Sequence, residues 1–120
     1  MMWQVDSSAP APLAEQIAAS VRRALVDGTL VAGERLPPAQ ELAAVLDLNA
    51  NTVLVAFRRL RAEGLLEFRR GRGVRVPPDA APLASVTAAA RQLLEEGRRH
   101  GFTTGELTQL VRDLSGAATP

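Results

Sequence analysis

Apolar residues recur at four-residue spacing near the start of the chain, at Leu13, Ile17, Val21 and Leu25. That period puts them on one face of a helix over about Pro12 to Asp27, with Pro12 suited to its first turn and Gly28 to its exit. The next stretch, GTLVAGERLPP, is punctuated by Gly28, Gly33, Pro37 and Pro38, which predicts a loop with room for only a very short strand around Arg35. From Ala39 to about Leu46 the sequence AQELAAVL predicts a short second helix with Leu42, Ala43 and Leu46 inward. After the brief turn DLNA, Asn49 can accept a hydrogen bond from an otherwise unpaired N–H and so cap a third helix. Val53, Ala56, Phe57 and Leu60 at i, i+3, i+4 and i+7 supply that helix's core face, and Gly64 ends it.

The pattern then changes period. In LLEFRR, Leu66 and Phe68 alternate with Glu67 and Arg69, and in GVRVP Val74 and Val76 flank Arg75. The intervening GRG supplies the backbone freedom of a tight hairpin. Three helices, the last two joined by a brief turn, followed by a hairpin, is the order of a winged helix-turn-helix. VPPDAAP predicts a rigid polar boundary at 77–82. Beyond it Leu83, Val86, Ala90, Leu93 and Leu94 predict one amphipathic helix. Thr103 with Glu106 is a capping box for another, whose stripe is Leu107, Leu110, Val111 and Leu114. EEGRRHGF is expected to break the two apart.

Two such short helices cannot bury their stripes on each other with much stability, so a second copy of the chain is the favoured cover, through two-fold pairing of one patch. The expected fold is mainly α with a small β-hairpin (α+β). Residues 1–76 are expected to form the winged helix-turn-helix, 77–82 a linker and 83–116 a two-helix dimerisation segment.

Size and composition narrow the function. A chain of 120 residues holds one domain, or one small domain with an appendage. It has no cysteine, which excludes disulfides, thiolate metal sites and a thiol nucleophile. The start MMWQVDSSAP has no basic segment leading into an apolar run, and no stretch of about 18 apolar residues occurs. A soluble, cytoplasmic protein without a membrane partner is expected. All fourteen basic residues are arginine. Seven of them lie from Arg58 to Arg75 against Glu63 and Glu67, a local +5 in a chain whose net charge is +1, so the remainder sums to −4. Such a basic segment in an otherwise acidic chain is the electrostatic footprint of a polyanion site.

Enzymatic readings find little support. GxxxxGK[ST] is absent, and the glycines of GRGVRV have hairpin spacing rather than that of a dinucleotide site. Glu95 and Glu96 are adjacent on a helix and point about 100° apart, so they do not converge as an acid/base pair. His100 has no second ligand at metal spacing. No catalytic residue, metal or cofactor is expected.

The run PLAEQIAASVRRALVDGTLVAGERLPPAQELAAVLDLNANTVLVAFRRLRAEGLLEFRRGRGVRV resembles the GntR family of bacterial transcription regulators. The resemblance is carried by Gln16-Ile17, Gly28, Gly33, Arg35-Leu36-Pro37, Glu41-Leu42-Ala43, Asn51-Thr52-Val53, Leu60, Glu63-Gly64-Leu65 and the Gly71/Gly73 wing. It spans roughly residues 10 to 76. WQVD before the first helix, NANTV and the short two-helix tail are similar to the small YtrA-like branch, and other branches carry additional domains for which this chain has no space.

The resemblance implies a homodimer on a palindromic double-stranded DNA operator, repression more than activation, and transporter genes as targets. It implies a DNA-binding set of Arg35, Gln40, Asn49, Asn51, Thr52, Leu54, Arg58, Arg61, Arg70, Arg72 and Gly73. The dimerisation set is Leu83, Val86, Leu93, Leu94, Leu107, Leu110, Val111 and Leu114. Many relatives have arginine where Gln40, Ala50 or Leu54 stands, so base reading here must differ. Asn49 reads first as a cap. Leu54 and Val55 leave open whether they touch bases or are ordinary exposed apolar residues. An unidentified small-molecule effector could bind between protomers. The competing class is a winged-helix protein-interaction module without specific DNA binding.

Overall fold

The computed structural model describes residues 3–116. Its elements are α1 (Leu13–Asp27), α2 (Ala39–Leu46), α3 (Ala50–Ala62), β1 (Glu67–Arg69), β2 (Gly73–Arg75), α4 (Ala80–Arg99) and α5 (Thr104–Gly116). Contacts divide the chain into two units, one up to Ser85 and one from Val86 onward, with the division falling inside α4.

In the first unit the predicted stripes meet. Ile17, Val21 and Leu25 of α1, Leu42 of α2 and Val53, Phe57 and Leu60 of α3 are buried together with Leu65, Leu66 and Val76. Truncating a fully buried aromatic such as Phe57 to alanine costs about 3–5 kcal/mol. Trp3 and Val5 pack on the edge of this core. Their segment is strapped to α1: Gln16 Nε2 donates to the carbonyls of Asp6 (2.9 Å) and Ala11 (2.8 Å), while Gln16 Oε1 accepts from the Asp6 N–H at 2.6 Å.

The turn between α2 and α3 is set by Asp47, the one non-glycine residue with positive φ among the described residues (φ 56°). Its left-handed backbone lets the N–H of Leu48 reach back to Ala43 O at 2.8 Å, closing the end of α2. Asn49 then caps α3 as expected, its Oδ1 accepting from the Asn51 N–H at 2.8 Å. Gly64, at φ 80°, ends α3 with the Leu65 N–H donating to Leu60 O at 2.9 Å.

β1 and β2 pair antiparallel with Glu67 opposite Arg75, Phe68 opposite Val74 and Arg69 opposite Gly73. The strands are shorter than the alternation suggested, because Leu65 and Leu66 are taken into the helical core ahead of β1. The short strand anticipated near Arg35 is a bridge to Arg75, flanked by Leu36 N–H donating to Val74 O at 2.9 Å and Val76 N–H to Glu34 O at 2.9 Å.

Two boundaries differ from expectation. The anticipated linker 77–82 is helical from Ala80, because Pro82 falls in the first turn, where its missing N–H costs nothing. Ala80 and Ala84 are buried in the first unit's core, so this end of α4 belongs with the winged helix. The second unit's break is also later than EEGRRHGF implied. α4 continues to Arg99, and the chain turns at Gly101 (φ 79°), where Phe102 N–H donates to Gly97 O at 2.8 Å. Gly97 lies inside the helix because Leu107 occupies the space beside it: a Cβ there would stand 2.5 Å from Leu107 Cδ1. The capping box of α5 is present, with Thr103 N–H donating to Glu106 Oε1 at 2.9 Å and Glu106 N–H to Thr103 Oγ1 at 3.1 Å.

Candidate nucleic-acid interface

With Val53, Ala56, Phe57 and Leu60 turned inward, a rotation of about 100° per residue leaves Asn51, Val55, Arg58 and Ala62 opposite them, with Leu54 and Arg61 on one flank and Thr52 and Arg59 on the other. Asn51, Val55 and Arg58 are exposed, while Thr52 and Leu54 are half-buried. No acid lies on α3, which runs ANTVLVAFRRLRA. Backbone N–H groups at its N-terminus add a partial positive charge beside Asn51 and Thr52. Asn49 has its Oδ1 committed to the cap.

The seven arginines from Arg58 to Arg75 separate into distinct groups. Arg59 donates to Glu15 Oε2 of α1 at 2.6 Å. Arg69 and Arg75 both donate to Glu67 Oε1, at 3.1 and 2.6 Å, so one carboxylate neutralises two cations on the strands. The hydrogen bond from Arg75, opposed by desolvation and reinforced by Arg69, holds the Glu67 carboxyl below the usual glutamate range. Arg61 lies with its guanidinium 4.5 Å over the Phe68 ring, joining α3 to the hairpin. This stack turns Arg61 toward β1 and away from Arg58 on the outer face of α3. Arg58, Arg70 and Arg72 make no ion pair among the described residues and are exposed.

Gly71 and Gly73 have φ of 74° and 75°, and these left-handed positions curl the tip so that Arg70 and Arg72 project from it. Gly73 itself is exposed with open space at its α-carbon. Arg35 is exposed beside β2, and Gln40 is exposed on the first turn of α2.

One ionic network was invisible to local sequence patterns. Arg22 of α1 donates to Glu63 Oε1 at 3.0 Å, to Glu63 Oε2 at 2.5 Å and to Glu15 Oε1 at 2.8 Å. The hydrogen bonds to Glu63, opposed by burial and aided by Glu15, raise the Arg22 guanidinium above its ordinary value. Burial raises the Glu15 carboxyl, but hydrogen bonds from Arg22 and Arg59 outweigh it and leave Glu15 below the ordinary value. Through Glu15 and Glu63 this network locks α3 against α1, fixing the helix whose outer face carries Asn51 and Arg58.

The proposed dimerisation residues occupy different settings. Leu83 lies against the Gly64 turn of the first unit, and Leu93 and Leu94 are half-buried. Leu107 is 5% exposed and packs on Gly97 of its own chain. Val86, Leu110, Val111 and Leu114 remain exposed, the last at 70%. Leu110, Val111 and Leu114 share the face of Leu107, so the apolar stripe of α5 continues past the part that α4 covers. No helix among the described residues is long and apolar enough to cross a membrane.

Comparisons with known proteins agree with this architecture. The model of the family "Bacterial regulatory proteins, gntR family" matches residues 13–76, the helices α1 to α3 and the hairpin. The chain is 28% identical to the HTH-type transcriptional repressor YtrA of Bacillus subtilis, over 95% of this chain and 92% of that one. It is 32% identical to the HTH-type transcriptional regulator Rv1152 of Mycobacterium tuberculosis, over 86% of this chain and 85% of that one. The structure of YtrA from Sulfolobus acidocaldarius, a GntR-family transcription factor, superposes with a TM-score of 0.62 at 21% identity, covering 98% of this chain and 99% of that one. With a winged helix-turn-helix fold and a family match over α1 to α3 and the hairpin, the chain belongs to the GntR family of DNA-binding bacterial transcription regulators and is YtrA-like in its short two-helix tail.

Proposed function

We infer that the protein is a homodimeric repressor that binds a two-fold symmetric operator in the cytoplasm. The observation that carries this reading is the partition of the arginines. Arg58 on α3 and Arg70 and Arg72 at the hairpin tip make no ion pair among the described residues, while Arg59 is held by Glu15 and Arg69 and Arg75 by Glu67. α3 enters the major groove with Asn51, Thr52, Leu54 and Arg58 facing the bases and backbone, and Arg61 follows the adjoining strand. Gly73 lets the wing approach closely, and Arg72 enters the neighbouring minor groove. Arg35 and Gln40 contact phosphates flanking the helix, and Asn49 contributes through its cap rather than a base contact.

The dimer forms through Leu83, Val86, Leu93, Leu94, Leu110, Val111 and Leu114, with Leu107 holding α5 in place to present them. The uncovered apolar face of α5 supports this, since a contiguous exposed apolar stripe marks a surface that gains from being covered. Transporter genes are the proposed targets, by likeness to the YtrA-like branch, and an effector would lie between protomers.

Mobility shift of the purified protein on fragments of its own upstream region, with competitor DNA at two salt concentrations, tests the reading. A discrete complex that survives competitor supports a specific regulator. Salt-sensitive binding to every fragment reduces the protein to a general DNA-binding module, and absence of binding favours a protein-interaction scaffold.

A further inference from the structure

We propose that Leu54 and Val55 form an apolar reader of thymine methyl groups, so that the centre of each half-site is selected for A·T pairs by contact with the methyl rather than by hydrogen bonding. This rests on the proposed docking of α3 in the major groove. Two side chains between Asn51 and Arg58 cannot donate or accept a hydrogen bond, yet Val55 is 36% exposed and Leu54 is half-buried beside it. The polar groups that could compensate are elsewhere. Asn49 is committed to the helix cap, Arg59 is held by Glu15 at 2.6 Å, and Arg61 is stacked on Phe68 at 4.5 Å. The base-edge donors left on this face are Asn51 and the half-buried Thr52 at one end and Arg58 at the other, Asn51 and Arg58 standing about two helical turns apart.

A major-groove edge under Leu54 and Val55 is therefore stripped of water without a replacement partner. That cost falls on either kind of pair, since G·C presents guanine O6 and N7 and the cytosine amino group while A·T presents adenine N7 and N6 and thymine O4. At an A·T pair the thymine C5 methyl presents an apolar surface that gains from the same contact. The thymine methyl is therefore the feature of the pair that this contact selects. The adjoining Asn51, whose carboxamide makes no hydrogen bond among the described residues, has the geometry to bind adenine N6 and N7. Flanking cations from Arg58 and the hairpin keep the helix against a polyanion, which makes DNA the occupant of this apolar ridge.

The test uses the full-length protein and a duplex that it selects from a randomised pool. Each thymine in the selected half-site is replaced in turn by deoxyuridine, which pairs identically but lacks the methyl. Wild-type protein should lose about fourfold in affinity at one or two central positions, the worth of one buried carbon group. Val55→Ser and Leu54→Ser, which remove the methyl groups at each position, should bind the thymine duplex more weakly and show little further loss with deoxyuridine at the matching position. Wild-type binding indifferent to deoxyuridine overturns the methyl reading while leaving DNA binding intact. A deoxyuridine loss that persists undiminished in both variants overturns it too, by assigning the methyl to another residue. Failure to recover any bound duplex overturns the proposed function and this inference together.

Discussion

Arg58 and Arg59 are adjacent on α3, yet their removal should affect DNA binding in different ways. Arg59 is bonded to Glu15 Oε2 at 2.6 Å, and Arg69 and Arg75 share Glu67. Of the seven arginines between Arg58 and Arg75, this leaves Arg58, Arg61, Arg70 and Arg72 for phosphate contact. With Arg35 these make about ten contacts in a dimer, and at about 0.9 counterion per contact the slope of log K against log salt is about −9. Raising salt from about 50 to 200 mM then weakens binding by about 10⁵-fold. Arg58→Ala or Arg72→Ala removes one contact per protomer and should bring the slope to about −7. Arg59→Ala should leave the slope where it was and cost at most about 1 kcal/mol of stability, since the pair it breaks is partly exposed. Fluorescence anisotropy titrations of one labelled duplex across that salt range measure the wild-type slope and those of the three variants. If Arg59→Ala flattens the slope as much as Arg58→Ala, the ion pairs within the fold do not divide the arginines as argued. An unchanged slope in Arg58→Ala or Arg72→Ala removes that residue from the contact set.

Leu110→Asp places a charge in the uncovered α5 stripe and should convert the dimer to monomer in sedimentation velocity; a dimer of wild-type size would put the interface elsewhere. Asp47→Gly should raise stability by about 0.5–1 kcal/mol, because glycine adopts the left-handed turn without the steric cost an L side chain meets there. A urea midpoint that stays put or falls counts against that account. For Glu15 the folded carboxyl titrates below its ordinary 4.5, so its contribution to stability is complete above about pH 4.5 and is lost as pH falls through the lower folded value. Glu15→Gln should flatten the stability profile in that acid window, and an unaltered profile would assign acid sensitivity to other carboxylates.

Local patterns in the sequence were enough to locate the elements that position the interface. Val53, Ala56, Phe57 and Leu60 declare the inner face of α3, Asn49 its start, and the glycines around Arg72 the wing, because each depends on neighbours within a few residues. The pairing of charges was not legible. Glu15 and Arg59 are 44 residues apart and Arg22 and Glu63 are 41 apart, so no short-range spacing announces them. The course of α4 was hidden for a similar reason. Pro82 and Gly97 look like breaks, but one sits where a helix needs no N–H and the other is held by packing against Leu107. Which arginines are free to meet DNA thus depends on tertiary partners, and the charge count alone overstates the number.

The contact between Gly97 and Leu107 constrains how this tail can diverge. A single-base change from glycine gives alanine, serine, valine, aspartate, glutamate, arginine, cysteine or tryptophan at most, and every one brings a Cβ that would meet Leu107 Cδ1 at 2.5 Å unless the leucine shifts. Drift at position 97 therefore requires either a displaced Leu107 or a smaller residue there, so the two sites should tend to change together among descendants of this protein, although ten residues separate them and neither touches DNA in the proposed complex.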